Sequence, residues 1–266
     1  LPMVAGFAVH PDITRAGDYV FRVGMLGPIE GAAAGEIAGK LLGAKTACQM
    51  TMDNDFGRAL AEGFRQRAAE LGIEIIWETL YPLGEMDFTP YVAKLRQLNP
   101  DVVFTSGYYN EAAQFCKQAK DMGLKSQILG EEGFDSPKFI EIAGKAAEGV
   151  IIVTNLNRDD PRPAARAFID GYRDLYKMEP DMVGASNYDA FLVIADALRK
   201  AKSTDAKAIR DAIAATHNFD GATGTFTGFN ALGESTKPIQ VQIVKDGAFR
   251  YYGEVSDPSI ITPPDK

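Results

Sequence analysis

Histidine, cysteine and tryptophan are scarce here, with two, two and one among 266 residues, and each scarcity removes a class of function. His10 and His217 stand far apart in the sequence, so neither a histidine-rich metal site nor a Ser-His-Asp triad is supported. Cys48 and Cys116 are too few for a disulfide framework and have no metal-ligand spacing. Cys48 falls in an expected strand and Cys116 on the apolar side of an expected helix, the places of buried free thiols. Trp77 lies in an expected strand, where it reads as core or edge packing rather than a stacking platform. No apolar run reaches the ~18 residues of a membrane-spanning helix, so no direct membrane insertion is expected. The clustered Lys and Arg that neutralise phosphates are missing as well, with a net charge of −8, which argues against nucleic acid as a partner. The fingerprints G-x-G-x-x-G, G-x-x-x-x-G-K-S/T and G-x-S-x-G do not occur, and no cofactor is expected.

What is present is an ordinary globular composition, 46% apolar and 24% charged, over a length sufficient for one large domain or two of usual size. Residues 44–154 alternate strand and helix patterns. The strand candidates 45–52, 73–79, 101–106, 127–130 and 149–153 are short, apolar and rich in Val, Ile or Phe, as strands buried on both faces are. Between them Leu60, Phe64, Ala68 and Leu71, and then Tyr91, Val92, Leu95 and Leu98, recur at helical spacing. Thr89-Pro90 and Ser136-Pro137 are helix-start signals, and Gly144 is a stop signal. This alternation predicts a parallel α/β sheet.

The flanks differ. Helical patterns cover 31–43, 161–177, 184–201 and 205–215, whereas only 2–8 and 19–23 read as strands outside the central unit before position 224. Four amphipathic helices need more sheet than two strands supply. After 224 the pattern returns to strand, with Asp246-Gly247 as a hairpin turn. We therefore expect two lobes: a partial one from 1–43 and 155–237, and a second from 44–154 and 238–254. A Pro-rich, frayed tail is expected over 255–266. Repeated crossings make a hinge, and a hinged cleft closes around small ligands.

Ligands of open α/β sheets bind beyond the carboxyl ends of the strands. Three such rims occur: Asp53-Asn54-Asp55-Phe56-Gly57, Ser106-Gly107-Tyr108-Tyr109 and Gly130-Glu131-Glu132-Gly133. Phe56, Tyr108 and one of the two glutamates are thus expected on a common cleft wall, the other glutamate being solvated. Gly107 is expected to give the neighbouring ring its freedom. Asp53 and Asp55 fit either an Mg²⁺-dependent phosphotransfer pair or simple capping of the next helix.

The ordered set Phe21-Arg22, Asp53-x-x-Phe56-Gly57, Gly84-x-x-Asp87-Phe88, Asn99-Pro100-Asp101-Val102-Val103, Gly107-Tyr108, Lys117-Gln118-Ala119-x-x-x-Gly123, Gly144-x-x-x-Glu148-Gly149, Tyr188-Asp189-Ala190 and Gly224-x-Phe226 resembles the type I periplasmic solute-binding proteins of branched-chain amino-acid ABC transporters. The resemblance implies two Rossmann-like lobes joined by a multi-strand hinge. It also implies further βα units ahead of the position matching residue 1, so the first lobe is expected to be incomplete, as a fragment or a natural truncation. It places an acid for the ligand ammonium at Glu132, a cleft tyrosine at Tyr108 and a further ring at Phe56. The loop that receives the ligand carboxylate matches Phe7, Ala8 and Val9, where Val9 replaces a hydroxyl donor and Phe7 narrows the pocket.

The implied role is a non-enzymatic, periplasmic or extracellular protein, with its export signal outside this chain, that delivers an amino-acid-like, amide or aromatic-acid ligand to an ABC permease. Self-association through the incomplete lobe is a further expectation. The alternatives are a ligand-sensing regulatory domain of the same fold and a phosphotransferase using Asp53.

Overall fold

The computed structural model describes residues 1–265. The chain begins with β1 (Met3–Ala5), α1 (Asp12–Arg15), β2 (Val20–Arg22) and α2 (Gly27–Glu36), the last extended by a π-helical turn over Ile37–Leu41. A βα series follows: β3 (Thr46–Met52), α3 (Asp55–Glu70), β4 (Glu74–Tyr81), α4 (Thr89–Leu98), β5 (Val102–Ser106), α5 (Tyr109–Asp121), β6 (Gln127–Gly130), α6 (Pro137–Ala143) and β7 (Ile151–Thr154). Three helices come next, α7 (Pro163–Tyr176), α8 (Met182–Ala201) and α9 (Ala206–Ala214). The strands β8 (His217–Gly221), β9 (Gly224–Gly228), β10 (Ile239–Lys245) and β11 (Ala248–Val255) and a short α10 (Pro258–Ile261) complete the chain.

The βα series builds a seven-stranded sheet in the order β11-β10-β7-β6-β5-β3-β4, parallel except where β10 joins β7 and β11 joins β10. Alternate residues supply two cores. Ala47, Phe104, Leu129, Val153 and Val241 pack beneath α2, α3 and α10, while Cys48, Met50, Val103, Ile152 and Val244 pack beneath α4, α5 and α6. Both thiols are buried here. Because helices cover both faces, the strands carry apolar residues throughout. Trp77 lies half-buried on β4, at the edge of this sheet.

The smaller unit has no comparable sheet among the described residues. β1 and β2 form a two-stranded parallel ladder, and β8 and β9 form a separate antiparallel pair. Its cores join Phe21, Val23, Val193, Ile213 and Phe226, and then Leu156, Phe168, Ile169, Met182 and Ala185.

The packing corrects three expectations. The helix of 31–43, assigned above to the first lobe, packs on the large sheet instead. Gly27, Gly31, Gly35 and Gly39 recur every fourth residue and lie along one face. A Cβ at Gly31 would stand 1.9 Å from the Leu60 carbonyl oxygen of α3, and one at Gly63 would stand 1.9 Å from the Pro28 carbonyl oxygen. Bare backbone is what lets α2 and α3 approach so closely, and Arg67 clamps the pair by donating to Glu36 at 2.9 and 2.6 Å. Val23 packs in the smaller unit and Met25 in the larger, so the chain crosses at 23–25 rather than at 43. The other crossings fall between Val153 and Leu156 and between Phe226 and Ile239.

The tail is not frayed over 255–261, because Ile260 and Ile261 of α10 are buried in the core under α2. Its last residue, Lys266, lies outside the described residues. Strand β8 was missed altogether. It carries a single large apolar residue, Phe219, which stacks on Phe226 at 5.8 Å, and one such residue leaves no alternation to detect.

Candidate ligand-binding cleft

A cavity of about 400 Å³ opens where the two units face each other, a volume suited to a small molecule. All six candidate residues border it. Phe7, Ala8 and Val9 come from the loop after β1 in the smaller unit; Phe56 and Tyr108 come from the first turns after β3 and β5, and Glu132 from the turn after β6. His10, Tyr109, Gly133, Asp135 and Ser136 complete these walls, with Asp181, Met182 and Val183 at the start of α8.

Each rim residue has a local cause for its position. Asn54, not either flanking acid, caps α3 by accepting from the Gly57 N–H at 2.8 Å. This fixes the first helical turn and with it the Phe56 ring. Asp53 pairs with Arg58 at an exposed surface, and no group of three or more His, Cys, Asp or Glu able to hold a metal occurs among the described residues. Phe56 stacks on Tyr108 with ring centroids 5.3 Å apart and planes 15° apart.

Gly107 is required for closeness rather than freedom. A Cβ there would lie 1.9 Å from the Tyr81 hydroxyl, which donates to the Ser106 carbonyl at 2.6 Å. Glu131, expected to be solvated, is fully buried. Its carboxyl accepts from the Gly107 N–H at 2.8 Å and the Gly133 N–H at 2.6 Å, tying the second rim to the third.

Glu132 is the glutamate that faces the cavity. It is 4% exposed, and one oxygen accepts from the Asn155 amide at 3.0 Å. Its own N–H donates to Glu30 at 2.8 Å, while the second Glu30 oxygen is buried without a partner. Burial, reinforced by the other carboxyls, pushes both Glu30 and Glu132 well above the usual carboxylate range. Asp135 accepts from the Thr154 hydroxyl at 2.5 Å and pairs with buried Arg158. Arg158 also donates to the Pro180 carbonyl at 2.9 Å, so one guanidinium links a cleft acid of the larger unit to the segment that starts α8. Behind the cavity Lys237 donates to Thr223 at 2.6 Å, and burial lowers its ammonium to about 8.

These shifts make a testable stability profile. Burial pushes Glu131 from its ordinary 4.5 up to about 8. Between those values the folded chain holds a proton that the unfolded chain has lost, so unfolding releases it and stability falls as pH rises through that interval. Glu30 and Glu132 act in the same direction. Lys237 is opposite: above about 8 the folded chain has shed a proton that the unfolded chain retains up to 10.5, so stability recovers there. Urea midpoints measured across pH are expected to fall to about pH 8 and to fall less steeply for Glu131→Gln. A profile unchanged by that substitution contradicts the assignment.

The start of α8 was the wall that sequence reasoning missed. Its signal was Asp181, whose side chain accepts from the Gly184 N–H at 2.8 Å and caps the helix. The expected helix began at 184 and so left Met182 and Val183 outside it. Glu30, Asp135, Arg158 and Lys237 carried no local signal, because their partners lie far off in sequence.

The family profile described as periplasmic binding protein matches residues 2–248. A leucine-, isoleucine-, valine-, threonine- and alanine-binding protein of Pseudomonas aeruginosa is 27% identical over 234 residues, covering 87% of this chain and 62% of that relative. This chain therefore spans under two thirds of that relative's length. Among solved structures, a leucine-binding protein from Thermotoga maritima superposes with a TM-score of 0.90 at 32% identity, covering 97% of this chain and 74% of that one. A branched-chain amino-acid transporter substrate-binding protein from Streptococcus pneumoniae, in complex with isoleucine, gives 0.87 at 26% identity, covering 96% and 72%. All are solute-binding proteins and none is an enzyme, which sets aside the phosphotransfer reading of Asp53. This chain belongs to the periplasmic binding protein family.

Proposed function

We propose that this chain is an extracytoplasmic solute-binding protein that closes on a small amino-acid-like, amide or aromatic ligand and presents it to the membrane subunits of an ABC permease. The observation that carries this reading is the shared cavity: rings and a buried acid from the larger unit face Phe7, Ala8 and Val9 of the smaller one across a chain that crosses between them three times. A ligand that touches both units favours the closed form by its differential affinity for it. The permease would read that form. Phe56 and Tyr108 supply contact area, and Glu132 supplies a charge-assisted hydrogen bond inside a partly dry site.

Native mass spectrometry of the purified protein tests the reading directly, through a copurified small molecule that is lost from Phe56→Ala. Absence of any bound molecule, together with no response to a panel of amino acids, amides and aromatic acids, would overturn it. Glu132→Gln is expected to weaken an ammonium ligand by about 1.5–3 kcal/mol, the worth of a hydrogen bond to a charged group; calorimetry with the identified ligand checks this, and an unchanged affinity would remove Glu132 from the site. The same spectra report self-association. We expect it through the smaller unit, where the edge of β1 away from β2 pairs with no strand among the described residues and Phe191 of α8 is 69% exposed.

A further inference from the structure

We propose that Arg158 is a positioning residue that sets the resting aperture of the cleft, holding one wall from each unit on a single guanidinium. It lies just past the second crossing, where Val153 still packs in the larger unit and Leu156 already packs in the smaller. Its side chain is 5% exposed. Toward the larger unit it pairs with Asp135, whose side chain has no exposed surface, and its guanidinium carbon lies 4.6 Å from the centroid of the Phe249 ring of β11. Toward the smaller unit the same nitrogen, Nη2, donates to the Pro180 carbonyl at 2.9 Å. The backbone of Arg158 is divided in the same way. Its N–H donates to Gln242 of β10 at 3.3 Å, whereas its carbonyl accepts from Arg166 of α7 at 3.1 Å.

Both side-chain acceptors belong to cavity walls. Asp135 borders the cavity itself, and Pro180 immediately precedes Asp181, Met182 and Val183, which border it from the start of α8. Asp135 is in turn held by the Thr154 hydroxyl at the end of β7, so the larger-unit side of the link is anchored to the sheet. The other terminal nitrogen, Nη1, is buried with no partner among the described residues. A buried donor left unmet costs free energy, and the group keeps this place because acceptors on two units and a ring fix it together. An ion pair that served one core alone would need no acceptor from the other unit. Arginine suits the task better than lysine, since its planar fork reaches a carboxylate and a carbonyl at once while its face lies on a ring. Moving the start of α8 away from the third rim must break the bond to Pro180 or pull the charge from Asp135, and burial leaves little water to make good either loss. Walls held at a preset spacing leave less of the rearrangement for a ligand to drive.

The test reads the aperture with no ligand added. Lys117→Cys on α5 and Arg199→Cys on α8, at exposed positions of the larger and smaller unit, carry a pair of spin labels, while the native Cys48 and Cys116 are buried and stay unlabelled. A second pair, Arg96→Cys on α4 with Arg199→Cys, views the cleft from another direction. Double electron–electron resonance is expected to give one narrow distance for each pair when Arg158 is present. Two variants then break the link differently. Arg158→Lys keeps a charge beside Asp135 but loses the fork, and Arg158→Met with Asp135→Asn removes both buried charges. Each is expected to broaden the distribution and move its mean by more than about 2 Å, the scale of a domain rearrangement. A merely structural role would lower stability and leave these distances alone. Unchanged distances in both variants overturn the proposal. Failure of both variants to fold also overturns it, because Arg158 is then a core residue and nothing more. The copurified-ligand spectrum judges the solute-binding reading separately in every case.

Discussion

Glu234→Ala is expected to cost about 3–5 kcal/mol of stability, the usual effect of stranding a buried charge. Its partner Arg22 has no exposed surface. The guanidinium Nε lies 3.1 Å from a Glu234 oxygen, close enough for strong attraction although not aligned as a hydrogen bond. A second nitrogen donates to the His10 carbonyl at 2.7 Å, and a third has no partner. Glu234 also accepts from Thr14 at 2.6 Å. Without Glu234, a desolvated cation remains with one carbonyl to hold it. Burial already disfavours both charges, pulling Arg22 down and Glu234 up, and their mutual attraction is what opposes this. The double substitution Arg22→Met with Glu234→Leu should recover most of the loss, since apolar replacement of a whole buried pair is often neutral or better. Urea denaturation of the three variants decides the matter, and a loss below about 1 kcal/mol for the single substitution would show that the pair is solvated in solution. The effect should reach the cleft, because Arg22 anchors the carbonyl that follows Phe7, Ala8 and Val9.

Gly31→Ala and Gly63→Ala are each expected to destabilise by about 3 kcal/mol, at the upper end for overpacking. In both cases the added methyl would meet a backbone carbonyl 1.9 Å away rather than a side chain that could swing aside. Relief requires α2 and α3 to move apart, which strains the Arg67–Glu36 clamp and opens the core around Leu60, Phe64 and Ala34. Gly171→Ala is the control: nothing stands within 4 Å of its Cβ position, and an alanine in a helix interior gains about 0.5–1 kcal/mol over glycine. Thermal melts of the three variants separate the cases, and similar shifts for all three would refute the close-approach account.

Much of the cleft was legible in the sequence because strand ends announce themselves. An apolar run that breaks into Asp53-Asn54-Asp55, or into Ser106-Gly107, must turn at the sheet rim, and a parallel sheet gathers its rims on one edge. Phe56, Tyr108 and one of the two glutamates follow from that rule, whereas the choice of Glu132 over Glu131 came from resemblance. So did Phe7, Ala8 and Val9, since nothing local shows that a loop after a three-residue strand faces those rims. Glu131 was misread because a lone carboxyl resembles a surface group until Gly107 and Gly133 present their N–H groups to it. The helix of 31–43 was assigned to the wrong unit for a similar reason. Its glycines every fourth residue announce a close-packed face, but not whose backbone fills it.

Periodicity, caps and turn residues thus determined by themselves the α/β class, the run of βα units and which strand ends carry rings and acids, because each of these depends on neighbours within a few positions along the chain. Only the tertiary structure decided which unit holds α2, that Ile260 and Ile261 seal a core, and that Arg22, Arg158 and Lys237 are already engaged while one oxygen of Glu132 is not. Those outcomes depend on burial and on partners brought together from distant parts of the sequence, and the energy of a buried charge is set by what surrounds it in space.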